Sequence, residues 1–169
     1  MKGQNEVLIF ILLLIIGTAL FTSATIWSKG IFQQNVDLAR VENSEKFIKD
    51  LNGIILDIIK FGGSQEIKYN LYGTIELNTT SKNIIELKVP VQLNLPTQWV
   101  TISNDTYFIQ EKLEGNALRI QLVYPNSTYG VVFFTDGSIL ATPASVLVER
   151  NQTYIDSGLT IIKIKVTFA

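Results

Sequence analysis

Hydrophobic residues follow two patterns in the first third of this chain. From Val7 to Trp27 the sequence runs without a charged side chain, and residues 7–16 show no polar face. A helix needs about 20 predominantly apolar residues to cross the hydrocarbon core of a membrane, so this run is long enough to span one. Further on, apolar residues recur at three- and four-residue spacing, which predicts an amphipathic helix.

Both patterns belong to one predicted helix, from about Asn5 to Phe61, because no proline precedes Pro90. Gly62-Gly63 is expected to end it, since glycine adopts the left-handed conformation that caps helices. The stripe is predicted to pack on the domain that follows, because a free apolar stripe would be an exposed patch. Its residues are Phe47, Ile48, Leu51, Ile54, Ile55, Ile58 and Ile59, and the residues predicted to lie off it are Asp50, Asn52, Asp57 and Lys60.

After Gly63 the apolar period changes to that of strands. In the last run Ile162, Ile164, Val166 and Phe168 alternate with polar residues, which indicates a half-buried strand. Asp136-Gly137 predicts a hairpin between its flanking apolar runs. The predicted strands are Glu66–Leu71, Thr74–Leu77, Asn83–Gln92, Trp99–Ser103, Tyr107–Gln110, Ala117–Tyr124, Gly130–Thr135, Ser145–Glu149 and Leu159–Phe168.

The predicted fold class is therefore α+β: a long N-terminal hydrophobic and amphipathic helix followed by an antiparallel β-sandwich-like domain. The expected divisions are a leader at residues 1–3, the helix at 4–61 with residues 7–27 as its transmembrane or filament-core part, and an extracellular β domain at 62–169. The 169 residues favour one compact domain with accessories.

The amino-acid composition argues against several classes of function. The chain has neither cysteine nor histidine, which excludes a disulfide scaffold and any zinc site built on thiolates or imidazoles. The net charge of −1 argues against a nucleic-acid partner. Without histidine as a general base an enzyme is not expected, and we assign no catalytic, cofactor-binding or metal-binding residue.

Three fates of the N-terminus are consistent with the sequence. The apolar run is a permanent anchor, or a secretory signal cut after Thr22-Ser23-Ala24, or a helix retained after a cut between Gly3 and Gln4. The first leaves Met1 as the mature N-terminus, the second Thr25 and the third Gln4. A secreted soluble binding module would require the second.

Lys2-Gly3-Gln4, followed by Glu6 and an unbroken apolar run, resembles the start of archaeal type IV pilin-like proteins. The resemblance covers roughly the first third of the chain. It implies that a prepilin-type peptidase cuts after Gly3 and that the retained helix becomes the spine of a filament. In many type IV pilins an acidic residue is the fifth mature residue, whereas Glu6 would be the third.

The resemblance implies a structural subunit that moves from the cell membrane into an extracellular surface filament, with copies of itself, a prepilin peptidase and an assembly platform as partners. The helix-on-β layout also resembles the membrane-anchored sandwich proteins of the archaellum motor. The alternative is therefore a non-polymerising anchored β-sandwich that binds a cell-envelope or motor partner. The residues expected to carry assembly are Glu6, Val7, Phe10, Leu14, Phe21 and Trp27.

Four Asn-x-Ser/Thr sequons begin at Asn78, Asn104, Asn126 and Asn151. All four lie in the predicted β domain, which favours a glycosylated outer face. Asparagine, serine and threonine are also ordinary turn residues, so each sequon has a purely structural interpretation.

Overall fold

The computed structural model describes residues 2–78, 80–104, 107–125 and 129–169. The chain divides into two compact units, residues 1–37 and 38–169. A single helix, α1 (Lys2–Phe61), contributes to both. The ten strands of the described residues follow, which confirms the α+β prediction: β1 (Ser64–Lys68), β2 (Thr74–Leu77), β3 (Ile84–Pro90), β4 (Val100–Asn104), β5 (Phe108–Glu114), β6 (Ala117–Val123), β7 (Tyr129–Phe134), β8 (Leu140–Ala141), β9 (Ser145–Asp156) and β10 (Leu159–Phe168).

The predicted glycine cap ends α1. Gly62 and Gly63 have φ angles of 75° and 88°, and the Gly62 amide donates to the Ile58 carbonyl at 2.9 Å. The Arg150 side chain of β9 adds a second cap, since its Nη1 donates to the Ile59 carbonyl at 3.2 Å. A cation at this end of a helix is favoured, because the last carbonyls carry partial negative charge.

The amphipathic part of α1 packs into the core of the unit 38–169, as the stripe predicts. The five most buried stripe residues are at most 6% exposed: Phe47, Ile48, Leu51, Ile55 and Ile58. They form one hydrophobic cluster with apolar residues of both sheets. This packing, and not intrinsic propensity, supplies most of the stability of such a helix.

Asn52 corrects the stripe prediction, because it is buried and not off the stripe. Its Oδ1 accepts a hydrogen bond from the hydroxyl of Tyr124, which is also buried. The polar side chain is tolerated in the core because each of these two groups provides the partner of the other.

The strands form a four-stranded sheet with the order β1-β9-β10-β7 and a six-stranded sheet with the order β4-β5-β6-β3-β2-β8. Every described pair is antiparallel except β7 with β10. Along β10, Ile162, Ile164 and Val166 are buried while Lys163 and Lys165 are half-buried, which confirms the predicted alternation.

The hairpin predicted at Asp136-Gly137 is wrong. β7 lies in the four-stranded sheet and β8 in the six-stranded one, so this segment crosses between sheets. A hairpin is instead formed by β9 and β10 around Ser157 and Gly158, whose φ angles are 51° and 83°. Two consecutive positive φ angles match the twist of a two-residue hairpin loop.

β9 extends to Asp156, seven residues beyond the predicted strand end at Glu149. Its added residues are mostly exposed and polar, so they lack the apolar alternation that identifies a strand. They are ordered as a strand by pairing with β10, from Arg150 opposite Ile164 to Asp156 opposite Leu159.

Two buried tyrosines provide a matched test of the core. Tyr124→Phe is expected to lower the free energy of unfolding by about 1–3 kcal/mol, because it leaves the buried Asn52 carbonyl oxygen unpaired. Tyr69 is buried, and its hydroxyl has no hydrogen-bond partner among the described residues. Tyr69→Phe should therefore cost nothing measurable, and its edge-on contact with Phe47 is retained.

Urea denaturation of the two full-length variants, followed by circular dichroism, measures this difference. Equal losses in both variants would contradict the assigned role of the bond between Tyr124 and Asn52.

Candidate functional site

The most unusual surface of the protein is the apolar segment, which we define as Val7–Trp27. Its large apolar side chains are 46–75% exposed, with Ile16 at the lower limit and Phe21 at the upper. Soluble monomers rarely expose contiguous apolar patches larger than a few hundred Å². By length and composition α1 can cross a membrane, although a signal sequence or a soluble core helix passes the same test.

The threonine hydroxyls of the apolar segment are satisfied within the helix. The hydroxyl of Thr18 donates to the Leu14 carbonyl at 3.0 Å and to that of Ile15 at 2.9 Å. The hydroxyls of Thr22 and Thr25 donate to the carbonyls four residues earlier, each at 2.8 Å. The threonines can therefore enter a water-free environment without an external partner, because unpaired hydroxyls are costly there.

The assembly residues predicted from the sequence lie along this helix and are open to a partner. Their exposed fractions are 59% for Val7, 67% for Phe10, 56% for Leu14, 75% for Phe21 and 71% for Trp27. The predicted processing residues Gly3 and Gln4 lie within α1, as does Glu6. The side chains of Gln4 and Glu6 lie outside the described part, so the pairing of Glu6 stays a prediction.

The predicted glycosylation sites differ in their surroundings. Asn78 Oδ1 accepts hydrogen bonds from the amides of Thr80 at 3.0 Å and Ser81 at 2.8 Å, which matches the turn interpretation. Asn151 is exposed on β9. Asn104 ends β4, with its side chain outside the described part, and Asn126 lies outside the described residues altogether.

Comparison with protein-family models, curated proteins and solved structures gives no match to this chain. The residues themselves therefore carry the functional interpretation. Among the described residues, no three carboxylates lie close enough to hold a metal ion.

The outer face of the six-stranded sheet carries a polar network centred on Glu86. This carboxylate is only 1% exposed, and it accepts hydrogen bonds from Arg119 Nε at 2.5 Å and Gln121 Nε2 at 2.7 Å. The bond to Glu86 is the main reason why the pKa of Arg119 is raised. Lys88 adds an ion pair with Glu76 at 2.8 Å. The charges of this network are therefore paired with one another within the sheet.

Glu111 lies on the core face of β5, since it pairs in register with the buried Ile120 of β6. Its Oε2 is buried and has no hydrogen-bond partner among the described residues. Burial raises the pKa of Glu111; Glu45 of α1 raises it further, while Lys49 lowers it. Lys49 already pairs with Glu45 at 3.3 Å.

Glu111→Gln is expected to increase stability at pH 7 and to have no such effect below about pH 4. In acid the carboxyl is protonated in both the folded and the unfolded state. As the pH rises above the unfolded-state pKa, the unfolded state releases its proton before the folded state does, so stability is lost until the pH has passed the raised folded-state pKa. Urea denaturation at several pH values measures the difference.

Glu114 of the same strand is the matched control. Its pKa is lowered, chiefly by the hydrogen bond from Arg119, so its ionised form favours the folded state. Glu114→Gln should not stabilise at pH 7. A pH-independent gain for Glu111→Gln would refute the ionisation argument.

The aromatic side chains of the β domain differ in their exposure. Tyr72, Trp99 and Tyr154 are exposed, by 65%, 39% and 39%, but Tyr69 is buried. Two of the exposed rings make cation–π contacts. Arg40 lies 4.4 Å from the ring centre of Tyr72, and Lys112 lies over the ring of Trp99. Tyr72 and Trp99 therefore contact cations of the same molecule, which favours a packing role for these two rings over a ligand-binding role.

Proposed function

We propose that this chain is a structural subunit of an archaeal type IV pilus-like surface filament and that it assembles through its N-terminal hydrophobic helix. The observation that supports the proposal is the apolar segment, in which the large side chains are exposed on all sides of one helix. Such a surface requires either lipid or other apolar protein to cover it.

In this mechanism lipid covers the apolar segment before assembly and the equivalent helices of neighbouring copies cover it afterwards. Transfer from lipid to protein has little hydrophobic driving force, so close packing must supply the stability. The small residues Gly17, Ala19 and Ser23 allow helices to approach closely. The internally bonded threonines enter this core at little cost.

The unit 38–169 would form the outer part of the filament. It contains its own hydrophobic core, to which α1 contributes the residues after Leu38. Its sequons would then face the surroundings. The leader at residues 1–3 would be removed by a prepilin peptidase before an assembly platform transfers the helix out of the membrane.

The N-terminus of the native protein tests this proposal. Mass spectrometry of the membrane fraction and of filaments sheared from the cell surface should find a mature start at Gln4 in the sheared fraction. Gly3→Val is expected to leave Met1 in place and to remove the chain from that fraction. A start at Met1 found only in membranes would refute filament assembly, and a start at Thr25 would indicate a secreted module.

The second candidate is a non-polymerising anchor whose β domain binds a cell-envelope or motor partner. The charged residues that follow the apolar segment favour it, because a tightly packed filament core tolerates few charges. Lys29 lies two residues beyond Trp27, and Asp37 is buried, where it accepts a hydrogen bond from Gln33 at 3.0 Å. Retention of Met1, with the chain confined to membranes, is the outcome that this candidate predicts.

A further inference from the structure

We propose that a pocket of about 300 Å³ beside the edge strand β7 binds small organic anions that have an apolar body, with aromatic monocarboxylates as the chemical class. The pocket belongs to the unit 38–169 and does not depend on whether the chain forms filaments. Its volume is at the lower end of the range for small-molecule sites.

The pocket arises from the sheet crossing at residues 135–139. β7 is the edge strand of the four-stranded sheet, and the chain leaves it to form β8 at the edge of the six-stranded sheet. Leu77, Phe133 and Ile139 line the pocket from the six-stranded sheet, the edge strand and the crossing, respectively. Leu77 and Phe133 are buried in the hydrophobic core. The apolar wall that a ligand can reach is therefore formed by Ile139, which is 46% exposed, and by the half-buried Val132 and Phe134.

Two lysines give the pocket its charge. Lys82 approaches from the turn before β3 and Lys163 from β10, and both line the pocket. Lys163 Nζ lies 4.3 Å from the ring centre of Phe134, which is also part of the lining. This contact holds the ammonium group over an apolar surface, where its attraction for an anion is less screened than in open water.

The nearby acidic side chain does not neutralise these lysines. Asp136 lies in the crossing segment, but its carboxylate pairs with Lys165 at 2.5 Å. Neither Lys82 nor Lys163 has a carboxylate partner among the described residues. The pocket therefore combines two available cations with an apolar wall.

This combination selects a particular ligand chemistry. A carboxylate or sulfonate can accept hydrogen bonds from the ammonium groups, and an attached ring can pack against Ile139 and the half-buried Val132. An uncharged ring would leave the lysines without a partner, and inorganic phosphate would leave the apolar wall open to water. Only a molecule with both an anionic group and an apolar ring can contact the lysines and the apolar wall together.

Calorimetric titration of 2-naphthoate into the full chain, held in zwitterionic lipid nanodiscs with empty nanodiscs as the blank, tests the proposal. We expect saturable binding of one equivalent. Lys82→Gln and Lys163→Gln should each weaken binding about tenfold, as should replacing the ligand with uncharged 2-naphthylmethanol. Lys112→Gln is the matched control, since Lys112 lies 4.9 Å from the ring centre of Trp99 and does not line the pocket.

Each alternative outcome overturns a defined part of the proposal. Absence of saturable binding above the blank would show that the pocket is not a binding site. Equal affinity for 2-naphthylmethanol would show that the lysines do not contribute to binding. Displacement of 2-naphthoate by phosphate at similar concentration would indicate a plain anion site. Thermal unfolding of the lysine variants at the wild-type temperature confirms that a loss of binding is not a loss of fold.

Discussion

Under the proposed filament assembly, Leu14→Asp is expected to abolish recovery of the chain in sheared surface filaments while leaving it in the membrane fraction. An aspartate at the centre of a membrane helix costs about 2.5–3.5 kcal/mol. The many other apolar residues of the segment, from Val7 onward, offset this cost. In a filament the same carboxylate would be buried between protein helices, and without a cation partner that burial is strongly destabilising in every copy.

Leu14→Ile is the matched control, because it keeps the volume and the apolar character of a side chain that is 56% exposed in the isolated chain. Immunoblots of the membrane and sheared fractions give the readout. Filaments of Leu14→Asp at wild-type yield would show that this position is not buried on assembly. Loss of the variant from both fractions would instead indicate failed membrane insertion.

Gly73→Ala is expected to destabilise the β domain by about 2–3 kcal/mol, as overpacking does in a well-packed interior. A methyl group at this position would lie 2.4 Å from the backbone oxygen of Lys88 and 3.3 Å from the Val89 Cα. These atoms belong to β3, which pairs with β2 directly after Gly73. Because they are backbone atoms, relief requires a shift of the strand pair and not only a new rotamer.

Gly53→Ala is the matched control with the opposite sign. Gly53 lies inside α1 and is exposed, and an added methyl would have no atom within 4 Å. Alanine should therefore stabilise the helix by about 1 kcal/mol. Thermal and urea denaturation of the two full-length variants measure both effects. A neutral Gly73→Ala would mean that the two strands separate without cost.

Local sequence patterns were sufficient to predict those elements whose structure depends only on their own residues. The run from Val7 to Trp27, the Gly62-Gly63 cap and the alternation around Ile164 each depend on short-range chemistry. The structure confirms the long helix, its end at Phe61 and the buried face of the last strand. Ser157-Gly158 is a further local hairpin signal, since both residues have positive φ angles in the turn between β9 and β10.

Contacts between residues that are distant in sequence determine the structural features that the local patterns did not predict. Asn52 is a polar residue whose burial depends on Tyr124, which lies 72 positions further along the chain. The exposed half of β9 lacks apolar alternation and becomes a strand only by pairing with β10. A turn motif such as Asp136-Gly137 specifies a change of direction, but not which sheet receives the next strand.

The candidate sites divide in the same way. The sequence by itself determined the apolar segment, because a membrane-length run without charges needs no tertiary contact to be recognised. The pocket beside β7 was decided only by the tertiary structure. It requires Lys82, Ile139 and Lys163 to come together at a crossing between two sheets, and no local sequence pattern predicts that arrangement. Hydrophobic periodicity shows which face of an element is buried, whereas long-range strand pairing determines which side chains become neighbours.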